Sequence, residues 1–266
     1  LSASVQFSTS SYDRNDLNTA YTPMGTNNTK SSNVTLTQKI PNSPWSFSAN
    51  ISAAQRTQDS TISLTLPNVT VTMSRIAPFK RKDAVGAEEW YEKIQLSYTG
   101  DLRNSITTKE NKLFQSNLQK DWNNAMKHTI PVSATFSALN YLNITPSFNY
   151  TERWYTSKIE KRWDADQRRM VVEDTTYSFN RVYDFNFSLG FQTKLYGMFT
   201  PIFSKNTQIR HVFTPSISLS YAPDFSSQKF GFYEKLYYYD SEGNWRDTGN
   251  KYSPYEQGMF GVPSQG

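Results

Sequence analysis

The ionisable residues of this chain are spaced to line a surface rather than to perform a reaction. His128 and His211 stand about eighty residues apart, each at the start of an alternating run. A metal site needs convergent His, Cys or carboxylate ligands, so both histidines read as structural or interfacial. Asp164 and Asp166 belong to Trp163-Asp164-Ala165-Asp166-Gln167, which reads as a solvated hairpin tip rather than a cation site. Glu88-Glu89 and Glu173-Asp174 flank strand patterns, where exposed charge is ordinary. No Ser/His/Asp spacing or glycine-rich phosphate loop occurs. Cysteine is absent, which removes zinc-thiolate and cysteine-nucleophile chemistry. Neither enzyme activity nor a cofactor is expected.

Six charges follow a different logic. Lys93, Asp101, Arg103, Asp184, Lys194 and Arg210 all fall on the polar side of alternating stretches. Mixed charge at membrane depth is tolerable only towards protein or a water-filled lumen. This side therefore reads as lumen-facing, either a hydrated interior crossed by a polar or phosphorylated cargo or a set of charges paired for stability.

The elements that hold these charges are long strands. From Tyr177 to Phe199 the odd positions carry Tyr177, Phe179, Tyr183, Phe185, Phe187, Leu189 and Phe191, and the even ones are mostly small, polar or charged. Side chains alternate across a strand, so one face is greasy and one is wet. Soluble strands run about 5–6 residues, whereas one tilted through a bilayer needs about 9–11. Phe185, Phe187, Leu189, Phe191 and, on the next strand, Phe213 are expected to face lipid. Trp45, Trp90, Tyr91, Trp154, Tyr155, Tyr196 and Phe199 lie near strand ends, as in the aromatic girdles of membrane barrels.

The same alternation recurs in 1–8, 33–40, 45–53, 61–75, 90–99, 130–138, 142–150 and 210–221, giving nine up-and-down strands. Ile62, Leu64 and Leu66 are even while Val69, Val71 and Met73 are odd, which predicts a bulge at Pro67-Asn68. Leu113, Phe114, Leu118 and Trp122 fall at helical spacing and predict a short loop helix within 109–127. Short turns at 41–44, 140–141 and 200–206, with the basic connection 76–89, lie on one side. The loops 11–31, 109–127, 160–176 and 222–266 lie on the other, the last as a long extracellular excursion with a local hairpin around 240–244. The fold class expected is all-β: an antiparallel up-and-down transmembrane β-barrel fragment, with 1–266 a partial outer-membrane barrel domain. Nine open-ended strands, and a start at Leu1 directly in a strand pattern, read as an internal piece of a longer precursor.

Composition agrees. Mean hydropathy is −0.67, yet aromatics make up 15% and charged residues only 19%, the reverse of a disordered chain. No window approaches the roughly 18 consecutive apolar residues of a membrane helix. The net charge of +5 is dispersed apart from Arg75–Lys82 and Arg168-Arg169, so nucleic acid is not an expected partner.

Taken in order, several pieces resemble the barrel of the LptD family in its Bacteroidota form. They are Ala77-Pro78-Phe79-Lys80-Arg81-Lys82, Trp90-Tyr91-Glu92-Lys93-Ile94, Asp121-Trp122-Asn123-Asn124-Ala125 and His128-Thr129-Ile130-Pro131. Pro146 to Tyr155, Leu195-Tyr196-Gly197-Met198, Ile209 to Ser216 and Tyr252-Ser253-Pro254-Tyr255-Glu256 continue the series. The resemblance implies assembly and insertion of lipopolysaccharide into the outer leaflet of a Gram-negative outer membrane. The implied partners are lipopolysaccharide, outer-membrane lipid, an LptE-like lipoprotein plug and periplasmic Lpt bridge proteins. It carries over no gate residue. Two other readings stay open on the residues alone: a porin or TonB-dependent nutrient-receptor barrel, and a secreted β-sandwich adhesin or binding module with strands of 5–7 residues.

Overall fold

The alternating stretches become strands longer than the sequence pattern suggested. The computed structural model describes residues 2–4, 29–56, 59–82, 86–138, 141–164, 167–199, 208–240 and 242–263. Most of the expected first strand and its loop, Asn140, Asp166 and the turn 200–206 lie outside these residues. The strands are β1 (Ser2–Ser4), β2 (Thr29–Lys39), β3 (Trp45–Arg56), β4 (Thr61–Ile76), β5 (Gln95–Lys109), β6 (Asn123–Ser133) and β7 (Phe136–Ala138). They continue with β8 (Leu142–Asp164), β9 (Arg169–Thr193), β10 (Leu195–Phe199), β11 (Ile209–Phe213), β12 (Ser216–Tyr221), β13 (Glu234–Tyr239) and β14 (Trp245–Tyr252).

These form an antiparallel meander in the order β1-β2-β3-β4-β5-β6-β8-β9-β12. β7 pairs with the start of β8 and so continues β6 along the same neighbour. β10 and β11 continue β9 and β12 in one register, since Gln192 faces Ser216 and Leu195 faces Phe213. Among the described residues the ribbon is interrupted at Lys194 and Thr214-Pro215, where Pro215 accepts from the Thr193 N–H but has no N–H to return to the ladder. Nine runs thus correspond to the nine expected. Among the described residues the sheet does not close, and no second large sheet packs on it. Strands of 23 and 25 residues in a single layer also do not fit a sandwich of short strands.

Register assigns the faces. Trp45, Met73 and Tyr98 stand side by side across β3, β4 and β5, as do Ile130, Tyr150 and Phe185 across β6, β8 and β9. This is the aromatic face. On the opposite face Thr70, Asp101, Lys127, Arg153 and Val182 form one row across β4, β5, β6, β8 and β9. The bulge falls where expected: Asn50 and Ser52 of β3 face Asn68 and Thr65 of β4, so β4 holds one extra residue. The loop between β5 and β6 holds a short 3-10 helix, Glu110–Gln115, but it is not an amphipathic packed element, because Phe114 is 95% exposed. Trp90–Lys93 is also a 3-10 turn, so β5 begins at Gln95 rather than Trp90.

A single-layer sheet has no core of its own. The main buried cluster lies instead between the sheet and the segment 222–263, where Phe225, Phe232 and Tyr233 pack with Ala125, Tyr155 and Val182. The segment follows the edge of β9 that β12 leaves open beyond Tyr221, and Val182 on that edge is fully buried. The expected hairpin forms as β13 and β14 around 240–244. β13 also runs parallel to β8 at Arg162 and Trp163, on the stretch of β8 that β6 no longer reaches. The long loop expected from 222 onward is, over 222–240 and 242–263, packed back on the sheet, where it covers strand edge and aromatic surface that would be costly left bare.

Candidate functional site

The polar face concentrates its charge in one place. Arg153 on β8 donates from Nη1 to Asp184 Oδ2 on β9 at 2.6 Å. One strand away, Lys127 Nζ lies 3.9 Å from Asp101 Oδ2, and the Thr70 hydroxyl donates to Asp101 Oδ1 at 2.8 Å. Arg103, two residues along β5 from Asp101, faces Asn68 and Ala125 on the neighbouring strands. The period of two and the ladder register put all five charges on one side of four consecutive strands.

The folded-back segment meets them through Phe260. Arg103 Cζ and Lys127 Nζ each lie 5.2 Å from its ring centroid, and Arg153 Nε donates to its carbonyl at 3.0 Å. The Tyr155 hydroxyl donates to the carbonyl of Gly261, and the Tyr155 ring lies against Gly258, where a Cβ would collide with ring carbons. The glycine lets the backbone approach the ring. Beside these contacts a cavity of about 450 Å³ opens between the sheet and the segment. Thr129, Asn149, Thr151 and Asn186 line its sheet side, with Phe225 and Val262 opposite. The walls offer amide and hydroxyl groups beside apolar carbon and the Arg153–Asp184 ion pair.

The aromatic face has one polar island. The Glu152 carboxylate accepts from Arg181 at 2.8 Å through both oxygens, from the Tyr150 hydroxyl at 2.5 Å and from Trp154 Nε1 at 2.7 Å. Every strong bonding direction of this carboxylate is thus met, as an ion on a greasy wall requires. Next to it His128 packs its ring 4.4 Å from that of Trp154.

The family model described as LptD protein matches residues 1–266, the whole chain. The chain belongs to the LptD family. Its members transport and assemble lipopolysaccharide at the outer membrane of Gram-negative bacteria, with Lpt partner proteins; it is a transport and assembly family, not an enzyme family. No curated protein and no solved structure matches the chain.

In this LptD-family chain, three of the six charges singled out on the sequence come together: Asp101, Arg103 and Asp184. Lys93 does not, because it sits on the 3-10 turn ahead of β5 rather than on a strand. Lys194 is exposed at the interruption between β9 and β10. Arg210 on β11 lies 4.7 Å over the Tyr196 ring. It pairs with Met198, fourteen residues along the ribbon from Asp184, or roughly 45 Å at the rise of a strand. Lys127, Arg153 and Phe260 escaped sequence reasoning. The first two continue the polar phase of their strands (Lys127 before Thr129, Arg153 after Asn149 and Thr151), which run further than the apolar alternation marks. Phe260 carries no such signal.

The aromatic residues divide similarly. Phe187 and Phe213 are open to the surroundings, while Leu189, Phe191 and Trp45 are half-buried along the wall. Phe185 faces the same way but is capped by Phe225, with ring centroids 5.6 Å apart. Trp90 is 65% exposed on its 3-10 turn, off the strand wall. Trp154 belongs to the polar island. Among the described residues no group of three His, Cys or acidic side chains is placed to hold a metal.

The connection between β4 and β5 has its own lock. Glu92 is buried and takes both Nε and Nη2 of Arg81, at 2.8 and 2.9 Å, as well as the backbone N–H groups of Arg81 and Glu89. The Arg81 guanidinium and these two N–H groups hold the Glu92 carboxyl at about 2, well below its ordinary 4.5.

Proposed function

We propose that this chain forms part of the wall of an outer-membrane translocon that inserts lipopolysaccharide into the outer leaflet. In this reading the aromatic face meets lipid, and the face carrying Asp101, Arg103, Lys127, Arg153 and Asp184 lines a hydrated interior. The observation that carries it is the segregation of these five charges to one side of very long strands whose other side is aromatic. Strands of this length suit a tilted bilayer crossing, and interior charge is tolerable where water or protein meets it. The polar island around Glu152, Arg181 and Trp154 then marks the level of the lipid headgroups, where amphipathic rings and paired ions are stable. Delivery of cargo by a periplasmic Lpt bridge, and an LptE-like lipoprotein against the polar face, complete the assembly.

The test is complementation. The full-length protein carrying Lys127→Glu and Arg103→Glu replaces the native one in cells, and newly made lipopolysaccharide at the cell surface is measured by antibody labelling. The expected result is a normally inserted barrel with slowed surface appearance. Unchanged delivery by a normally inserted barrel would overturn the role given to this face.

A further inference from the structure

Phe260 occupies the place of a ligand. Arg103, Lys127 and Arg153, from three neighbouring strands, converge on this one residue: two over its ring face and one on its carbonyl. Their counter-charges do not match them one for one. Asp184 answers Arg153 and Asp101 answers Lys127, but Arg103 forms no ion pair among the described residues. Its Nε, and Oδ1 of Asn68 opposite it on the ladder, are both buried without a hydrogen-bond partner. A buried guanidinium N–H without an acceptor is an unmet demand. Its planar fork fits phosphate or carboxylate oxygens, which satisfy it better than a ring face can.

The residues that bring Phe260 there pack Tyr255, Met259 and Val262 on the edge of the buried cluster, are anchored at their far end by the Tyr233 hydroxyl on the Pro263 carbonyl, and are otherwise tied by single polar contacts. Tyr155 holds Gly261, Asn123 holds the Gln257 carbonyl, and Lys161 pairs with Glu256. Residues 254–263 form turns rather than a strand of the sheet. Among the described residues no strand pairs with them, and the one backbone bond from β8 to this segment, from the Ile159 N–H to the Pro254 carbonyl, lies at its start.

We propose that residues 254–263 are a displaceable strap with Phe260 as its stopper, closing an anion subsite formed by Arg103, Lys127 and Arg153. A phosphate group of a glycolipid on the polar face takes the place of the ring and lifts the strap. This rests on the reading of that face as the route of an anionic glycolipid.

The test uses the full-length protein in detergent, with any cysteine elsewhere replaced and Gln257→Cys carrying an environment-sensitive fluorophore. The probes are bis-phosphorylated lipid A and the same lipid after removal of both phosphates, with binding of each measured separately by co-purification. The phosphorylated lipid should shift the fluorescence at roughly tenfold lower concentration than the dephosphorylated one. Arg103→Gln should abolish that difference, Arg103→Lys should restore part of it, and Phe260→Ala should give the shifted signal without lipid. An equal response to both lipids, or an unaltered response in Arg103→Gln, would overturn the anion subsite. Binding of the lipid with no movement of the reporter would overturn the strap while leaving the passage intact. If neither lipid binds, the passage itself fails and the strap fails with it.

Discussion

The Tyr98 hydroxyl reaches Nδ1 of His128 at 2.7 Å because the residue that faces His128 on the ladder, Gly100, has no side chain. The Tyr98 ring lies over the space left open, and a Cβ at residue 100 would stand 3.0 Å from its Cζ. Two residues apart on one face of β5, the tyrosine and the glycine act as a filled notch. Gly100→Val should therefore push Tyr98 off His128 and lower the temperature at which the folded protein unfolds in detergent. Tyr98→Phe, which removes only the hydrogen bond, should cost about 1 kcal/mol. Heat-modifiability on a gel separates the two variants; equal melting of both would deny the notch.

Arg153 on the polar face is bonded both to Asp184 and to the Phe260 carbonyl. Both members of the ion pair are largely shielded, with side chains 12% and 25% exposed. Arg153→Ala strands Asp184 and should destabilise by about 2–4 kcal/mol, slightly discounted for residual water. Arg153→Met combined with Asp184→Leu should recover most of that loss, since no charge is left unpaired. Denaturant titration in detergent of both variants checks the difference.

Glu92 gives the connection between β4 and β5 a pH dependence. Its carboxyl is held at about 2 when folded, below the ordinary 4.5. A depressed folded value means the stabilisation is complete above the unfolded value and drains away as pH falls through the folded one. Residues 77–82 and 86–94 should keep their structure down to about pH 4.5 and loosen between there and about pH 2. Hydrogen exchange of the Arg81 and Glu89 amides follows the change. In Glu92→Gln the acid step should vanish, with those amides less protected at neutral pH.

Loop placement predicts orientation. Glu242, at the tip of the β13–β14 hairpin, and Lys82, in the connection between β4 and β5, are both exposed and lie at opposite ends of the sheet. A cysteine at 242 should react with an impermeant maleimide on intact cells, and one at 82 only after the outer membrane is opened. The reverse pattern would turn the sheet over.

Much of this architecture was legible in residues. Alternation gave the two faces, and the phase change around Pro67 gave the bulge. Tyr237–Tyr239 and Trp245 around a polar Gly/Asn turn gave the hairpin. What alternation does not encode is where pairing stops. β6 starts at Asn123 and β8 runs to Asp164, through residues whose polar and aromatic character suited a loop equally well, so Lys127 and Arg153 fell outside the strands. The packing of 222–263 was less legible still. Its Gly, Tyr, Asp and Ser content resembles a free loop, and its docking depends on an edge of β9 that only the three-dimensional register exposes. The choice of Phe260 as the contact to three cations follows from that docking and from nothing local.

The extra residue in β4 bears on how this wall tolerates sequence drift. Ile62 and Leu64 share a side with Val69, Val71 and Met73 only because the bulge adds one count between them. The strand is two half-strands of opposite parity joined by a corrector. Losing a single residue at 66–67 would exchange every inner and outer position in one half, setting apolar side chains against water and Thr or Ser against the other environment. Gaining one would do the same. At this point of the strand, length is thus under tighter structural constraint than residue identity.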